Sequence, residues 1–178
     1  MKEFTIEREQ KVARPIAEVF HFFSDPKNLG EITPPFLDFH IVACSTSTIG
    51  EGTLIDYKLR LRGFPLRWRS RIRAWEPPTR FIDEQLSGPY RSWIHEHSFE
   101  DLGSATLVRD RVRYSVLGGA LVNRLLVRPD VEKIFDYRSQ RLNELFGSAA
   151  VSASPGAQAL ELQAKRAGLP IGDHQAER

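Results

Sequence analysis

The sequence predicts an α+β domain in which a seven-stranded, curved antiparallel sheet grips a long C-terminal helix, with two short helices between strands 1 and 2. Three observations carry this expectation. Short runs of alternating polar and apolar residues follow one another from Phe4 to Ser115. Clusters of turn-forming residues separate those runs. After Gly118-Gly119 the apolar period changes to the three-and-four spacing of a helix.

The first run places Phe4, Ile6, Arg8, Gln10 and Val12 on one face of a strand and Glu3, Thr5, Glu7, Glu9 and Lys11 on the other. Arg14-Pro15 then opens a helix, because proline is tolerated in a first helical turn, and Ile16, Val19, Phe20 and Phe23 recur at helical spacing. Ser24-Asp25-Pro26 ends it. Lys27 to Thr33 can add a further turn or two before Pro34-Pro35 imposes extended backbone.

Six more strands are expected near 37–44, 53–62, 65–75, 79–86, 90–100 and 105–115. Connections this short permit antiparallel neighbours and exclude parallel crossovers, so the sheet is a meander with the first strand added at one edge. Leu121, Leu125, Leu126, Val131, Ile134, Phe135, Arg138, Leu142, Leu145 and Phe146 form the helical stripe, which Pro129 must kink or restart. Gly147 suits a helix end, and residues 148–178, rich in Ala, Ser, Gly and Gln, read as a disordered tail, with a weak helix over Ala157 to Ala167 as the alternative. The domain is therefore expected over 1–147.

With 41 % apolar and 27 % charged residues, the 178-residue chain can build a core. A formal charge of +2 supplies no global attraction to nucleic acid or to anionic membrane. The single cysteine, Cys44, cannot close an intramolecular disulfide, and the N-terminus MKEFTIEREQ lacks the apolar run of a signal peptide, so a cytoplasmic location is expected. No integral membrane association is expected either, because the most apolar stretch, Leu117 to Val127, is broken by Gly118, Gly119, Asn123 and Arg124. Arg67, Arg69, Arg71 and Arg73 share one strand face, and Arg109, Arg111 and Arg113 another. These read as solvent-facing arginines, the latter set neutralised by Glu3, Glu7 and Glu9, and no nucleic-acid partner is expected because no aromatic residues are interleaved to stack bases.

The strand from Tyr90 to Glu100 sets Arg91, Trp93, His95, His97 and Phe99 on one face, and Trp93 and Phe99 make that face the inner one. A tight loop over Asp101 to Ser104 would pair Phe99 with Thr106, His97 with Val108, His95 with Asp110 and Trp93 with Val112. His95 and Asp110 then lie side by side, either as a satisfied buried polar pair in the wall or as a unit in which the carboxylate fixes the imidazole tautomer and raises its basicity toward a ligand. Two histidines two apart on a strand are also a possible metal pair, but no third ligand stands at a clear spacing, so no metal is expected. Arg138 falls within the apolar stripe of the last helix and either reaches out to the sheet rim or needs an anion, from Asp83, Asp110 or a ligand.

The order of elements, with the stretches PIAEVFHFFSDPKNLGEITPPF, FIDEQLSGPYRSWIHEHSFE and IFDYRSQRLNELF, resembles the START-like, helix-grip (SRPBCC) superfamily that includes polyketide cyclases/dehydrases and coenzyme Q-binding proteins. The likeness covers about residues 3–147. It implies a cavity between helix and sheet. The expected activity is binding of a small hydrophobic or aromatic molecule (a lipid, quinone or polyketide-like compound), in contact with Tyr57, Trp68, Phe81, Asp83, Trp93, His95, His97, Asp110, Tyr114, Phe135 and Arg138. The alternative is a cyclase or dehydratase with His95 as general base, Asp110 orienting it and Arg138 stabilising an enolate. No nucleophile elbow, phosphate loop or dinucleotide motif is present, which favours binding over chemistry and predicts no cofactor. Val116 to Val127 is the expected gate over the cavity mouth, with an ordinary helix start as the alternative.

Overall fold

A computed structural model describes residues 2–147. The expected tail at 148–178 lies outside the described residues. Strand β1 (Phe4–Val12) is followed by helix α1 (Ile16–Ser24) and 3-10 turns over Pro26–Ile32 and Pro35–Leu37. Six strands follow: β2 (His40–Cys44), β3 (Leu54–Leu61), β4 (Phe64–Glu76), β5 (Arg80–Ser87), β6 (Ser92–Asp101) and β7 (Thr106–Ser115). They form one seven-stranded sheet in the order β1-β7-β6-β5-β4-β3-β2, the expected meander with β1 closing the far edge. Strand β2 is shorter than its predicted span because the Pro34-Pro35 pair turns the chain into a 3-10 helix that ends at Asp38 in the left-handed region, with φ 44°.

The last helical segment is continuous, and Pro129 changes its winding instead of breaking it. A short helix α2 (Gly119–Val122) runs through a π-helical stretch, Asn123–Val127, into α3 (Arg128–Phe146), with proline in the first turn of α3. A proline lacks the N–H that would close an i→i−4 bond, and a wider local turn accommodates that loss. Tyr114, fully buried on β7, donates its hydroxyl proton to Asn123 Oδ1 at 2.8 Å and pins the π-helical stretch to the sheet. Gly118 begins the segment at φ 84°, and a Cβ there would sit 2.3 Å from Val122, so no larger residue fits.

The turn between β3 and β4 has two residues, Arg62 (φ 52°) and Gly63 (φ 84°), the doubly positive φ of a tight hairpin. Arg62 is held in that conformation by Asp130, which accepts from its Nε at 2.8 Å, and the pair ties the hairpin to the start of α3. On the opposite edge, Arg8 of β1 donates to Asp136 and Gln10 to Asn143, so the polar half of the inner face of β1 anchors α3. The outer face carries the expected charge pattern: Arg109 pairs with Glu9 at 2.7 Å and Arg111 with Glu7 at 3.0 Å across the β1–β7 ladder. Arg69 pairs with Asp56, and Arg71 with Glu84.

The β6–β7 register differs from the expected one by two. Asp101 still belongs to β6 and pairs with Thr106, so His97 faces Asp110, His95 faces Val112 and Trp93 faces Tyr114. The loop has the expected length but sits one residue later, closed by a bond from Leu102 N–H to Ala105 O and by Gly103 at φ 82°. Moving a loop of constant length by one residue shifts the pairing sum by two, which preserves which face each side chain occupies. The inner-face assignment survives.

Two apolar clusters fill the space between sheet and helix. One joins Val12, Val19, Phe20, Phe81, Phe99, Val108, Leu142 and Phe146, and the other Ile6, Val112, Tyr114, Val116, Val131 and Phe135. On β7 Asp110 separates Val108 from Val112, and on α3 Arg138 separates Phe135 from Leu142. A buried polar belt thus divides the core. Among the described residues no helix is long and apolar enough to cross a membrane.

Candidate functional site

The belt is built from three adjacent strands and the helix that crosses them. β5 supplies Asp83, β6 supplies His95 and His97, β7 supplies Asp110, and α3 supplies Arg138; Asp83 stands directly opposite His95. The two imidazoles lie between two carboxylates. His95 Nε2–H donates to Asp110 Oδ1 at 2.8 Å, and His95 Nδ1 lies 3.7 Å from Asp83 Oδ2. His97 Nε2 is 3.2 Å from Asp83 Oδ2, and its Nδ1 is 2.9 Å from Asp110 Oδ1, close but off the line of a good hydrogen bond. Arg138 donates from a terminal guanidinium nitrogen to the same Asp110 oxygen at 3.3 Å, stacks over the Phe135 ring, and keeps its Nε–H without a partner. Asp110 is the anion that Arg138 needs.

The environment divides the two histidines. For His95, burial is the largest influence and the charge of His97 adds to it, so its pKa falls to about 4 despite the opposing pull of Asp110 and Asp83. For His97, burial also acts downward, but the flanking Asp110 and Asp83 outweigh it and the pKa is raised. Burial pushes both carboxyls up, yet the imidazoles and Arg138 overcome it, leaving Asp83 lowered and Asp110 well below the ordinary carboxylate range. The flanking carboxylates thus favour the charged form of His97, and burial favours the neutral form of His95.

These directions set a pH optimum for stability with chelator present. His97, raised, contributes stability that is fully present below the unfolded value of 6.5 and lost as pH rises through its folded value. His95 acts oppositely: stability is lost as pH falls from 6.5 toward its folded value of about 4. The carboxylates hold their contribution above 3.8 and lose it as pH falls through their lower folded values. Denaturation midpoints should therefore peak near pH 6.5 and decline on both sides, and His97→Gln should flatten the alkaline decline.

The belt borders a cavity of about 200 Å³ between sheet and helix. Of the residues expected to meet a ligand, Tyr57, Trp68, Phe81, Asp83, Trp93, His95, His97, Phe135 and Arg138 line it. Asp110 and Tyr114 do not; Asp110 stands behind the two histidines and Tyr114 is spent on Asn123. Trp68, Tyr90 and Trp93 form an aromatic wall, with ring centroids 5.5 Å apart for Trp68 with either neighbour and 4.6 Å for Tyr90 with Trp93. Ser70 ties that wall together by receiving the indole N–H of Trp68 at 3.0 Å and bonding the Tyr57 hydroxyl. Burial, and then the charge of Asp83, keep the Tyr57 phenol from ionising.

Tyr90, Ser70, Ile72, Ile134 and Phe23 also line the cavity and were not anticipated. Ser70 was the most legible of these, as the one small polar residue on the strand face shared by Trp68 and Ile72. The third metal-type ligand that spacing along the chain does not show is supplied by the fold, because Asp83 brings a carboxylate oxygen to the two histidines. The expected gate, Val116 to Val127, flanks a second pocket that shares Leu61, Pro89 and Tyr90 with the main cavity, and Leu117, Leu121 and Leu125 on it are exposed.

Several solved structures share the fold. CV1439 from Chromobacterium violaceum superposes with a TM-score of 0.64 at 13 % identity, covering 82 % of this chain and 99 % of its own. Ara h 8.0201 gives 0.60 at 16 % identity, covering 81 % and 97 %. Norcoclaurine synthase from Thalictrum flavum, solved in complex with dopamine and hydroxybenzaldehyde, gives 0.58 at 16 % identity, covering 80 % and 88 %. Among curated proteins none matches in sequence. A family model, described as polyketide cyclase / dehydrase and lipid transport, matches residues 12–142, and with the seven-stranded sheet closed on α3 it places the chain in that family, within the START-like helix-grip superfamily.

Proposed function

We propose that the protein binds one small hydrophobic or aromatic molecule, of lipid, quinone or polyketide-like character, in the cavity between the sheet and α3. The observation that carries this reading is an aromatic-walled cavity of about 200 Å³ whose charged groups gather in a single cluster. An apolar cavity of about 150 Å³ holds benzene, so this space suits a molecule of one or two rings. Apolar burial supplies affinity at about 25 cal/mol per Å², and the unpartnered Nε–H of Arg138 favours a ligand with an acceptor oxygen. Norcoclaurine synthase, which shares the fold, carries two small aromatic molecules in its own structure.

Titration with the neutral probe N-phenyl-1-naphthylamine tests this. One saturable site is expected, with about a tenfold loss of affinity in Ile134→Trp, which fills the cavity from a half-buried position on α3. Probe binding that is absent, or indifferent to this substitution, refutes the reading.

A second reading, cyclase or dehydratase chemistry, is favoured by the convergence of His95, Asp110 and Arg138 within hydrogen-bond reach. In it neutral His95 takes a proton from an enolisable ligand, Asp110 orients the ring, and Arg138 stabilises the enolate. Turnover of an enolisable polyketone that vanishes in His95→Ala while probe affinity persists would establish chemistry. Its absence in the unaltered protein leaves binding alone.

A further inference from the structure

The geometry points to a metal site: we propose that Asp83, His95 and His97 bind one divalent first-row transition ion of the zinc or iron(II) class at the charged end of the cavity. His95 and His97 are two apart on β6 and share its inner face, and Asp83 faces His95 from β5. One donor atom from each of the three lies within 4.8 Å of the others. Asp83 Oδ2 stands 3.2 Å from His97 Nε2 and 3.7 Å from His95 Nδ1. A tetrahedral ion about 2.1 Å from its ligands holds them roughly 3.4 Å apart, so both separations require only small adjustment.

The surroundings match what such a donor set requires. A ligating imidazole needs a partner for its other nitrogen, and Asp110 Oδ1 lies 2.8 Å from His95 Nε2 and 2.9 Å from His97 Nδ1, the nitrogens facing away from Asp83. That buried carboxylate fixes the His95 ring by a hydrogen bond and lies beside the His97 nitrogen without a well-aligned one, while Arg138 offsets its charge. Asp83, His95 and His97 all line the cavity, and Asp110 does not. Three protein ligands of the type N, N, O leave coordination positions open toward the cavity contents, the arrangement that zinc hydrolases and iron(II) oxygenases share. A carbonyl, enolate or carboxylate oxygen of the cavity ligand is the chemical group that such an ion would take.

The test uses the full chain stripped with a chelator. Cobalt(II) should develop ligand-field absorption at one equivalent, and zinc should displace it and bind by calorimetry with a dissociation constant on the order of micromolar or tighter. His95→Ala and, separately, Asp83→Asn should weaken zinc at least about tenfold. The urea midpoint of each variant reports that the fold persists, and N-phenyl-1-naphthylamine binding is read on the unaltered, metal-free protein, so loss of metal and failure of the ligand-binding reading are separate results. On the unaltered protein, zinc should move the ring resonances of His95 and His97 and leave those of His21 and His40 in place. No cobalt spectrum, zinc affinity untouched by both substitutions, or unmoved His95 and His97 resonances would each overturn the assignment.

Discussion

Arg138→Met is expected to lower the unfolding free energy by about 3–5 kcal/mol, read as a drop in the urea midpoint at unchanged slope. The arginine is only 8 % exposed and its partner Asp110 only 6 %. Removing the guanidinium leaves a carboxylate in the core with the two imidazoles as its remaining partners, and the loss of a buried ion's partner costs far more than a surface pair contributes. The size of the effect comes from the stranded charge more than from the bond itself. Asp110→Asn in the same chain should therefore restore a large part of the loss, giving strong coupling in a double-mutant cycle. Additive effects of the two substitutions would show that Arg138 and Asp110 do not act as a pair.

The same cluster marks where the sequence was legible and where it was not. Alternation put His95, His97 and Asp110 on the inner face, and strand parity is robust: a loop displaced by one residue moved the partner of Asp110 from His95 to His97 without turning any side chain outward. His95 still reaches Asp110, because diagonal neighbours on one sheet face are within range of an imidazole. Arg138 is conspicuous as a charge within an apolar stripe, and Asp110 is one of the anions the sequence offers it. The contact of Asp83 with both histidines was not legible, since it depends on the β5–β6 register across the Ser87-Gly88-Pro89 turn, which composition does not fix. Nor could periodicity tell the residues that enclose the cavity from those that fill the core. Ile72 and Val112 carry the same apolar signature, yet Ile72 borders the cavity and Val112 lies in the packed cluster beside it. The β4–β5 ladder shifts register beside Ile72, a local feature that periodicity does not record.

Phe135→Ala should cost on the order of 4 kcal/mol and also change the titration of a residue it touches. Phe135 is 3 % exposed and packs with Ile6, Val112, Tyr114, Val116 and Val131. It also borders the cavity, so its removal enlarges an existing void instead of letting neighbours collapse into a new one, which puts the cost toward the upper part of the range for such truncations. Its ring meets the edge of His95 at 5.4 Å and lies under the guanidinium of Arg138 at 5.2 Å. That ring is part of the apolar shielding that depresses His95, whose pKa of about 4 is due first to burial. Water entering the truncated site should return the His95 value part of the way toward 6.5, whereas Phe135→Leu, which keeps the site dry, should lose less stability and leave the titration near its original midpoint. Ring-proton NMR titration of the two variants, beside urea denaturation, separates the roles: a large stability loss with an unmoved His95 midpoint would mean that Phe135 holds the fold without shielding the site.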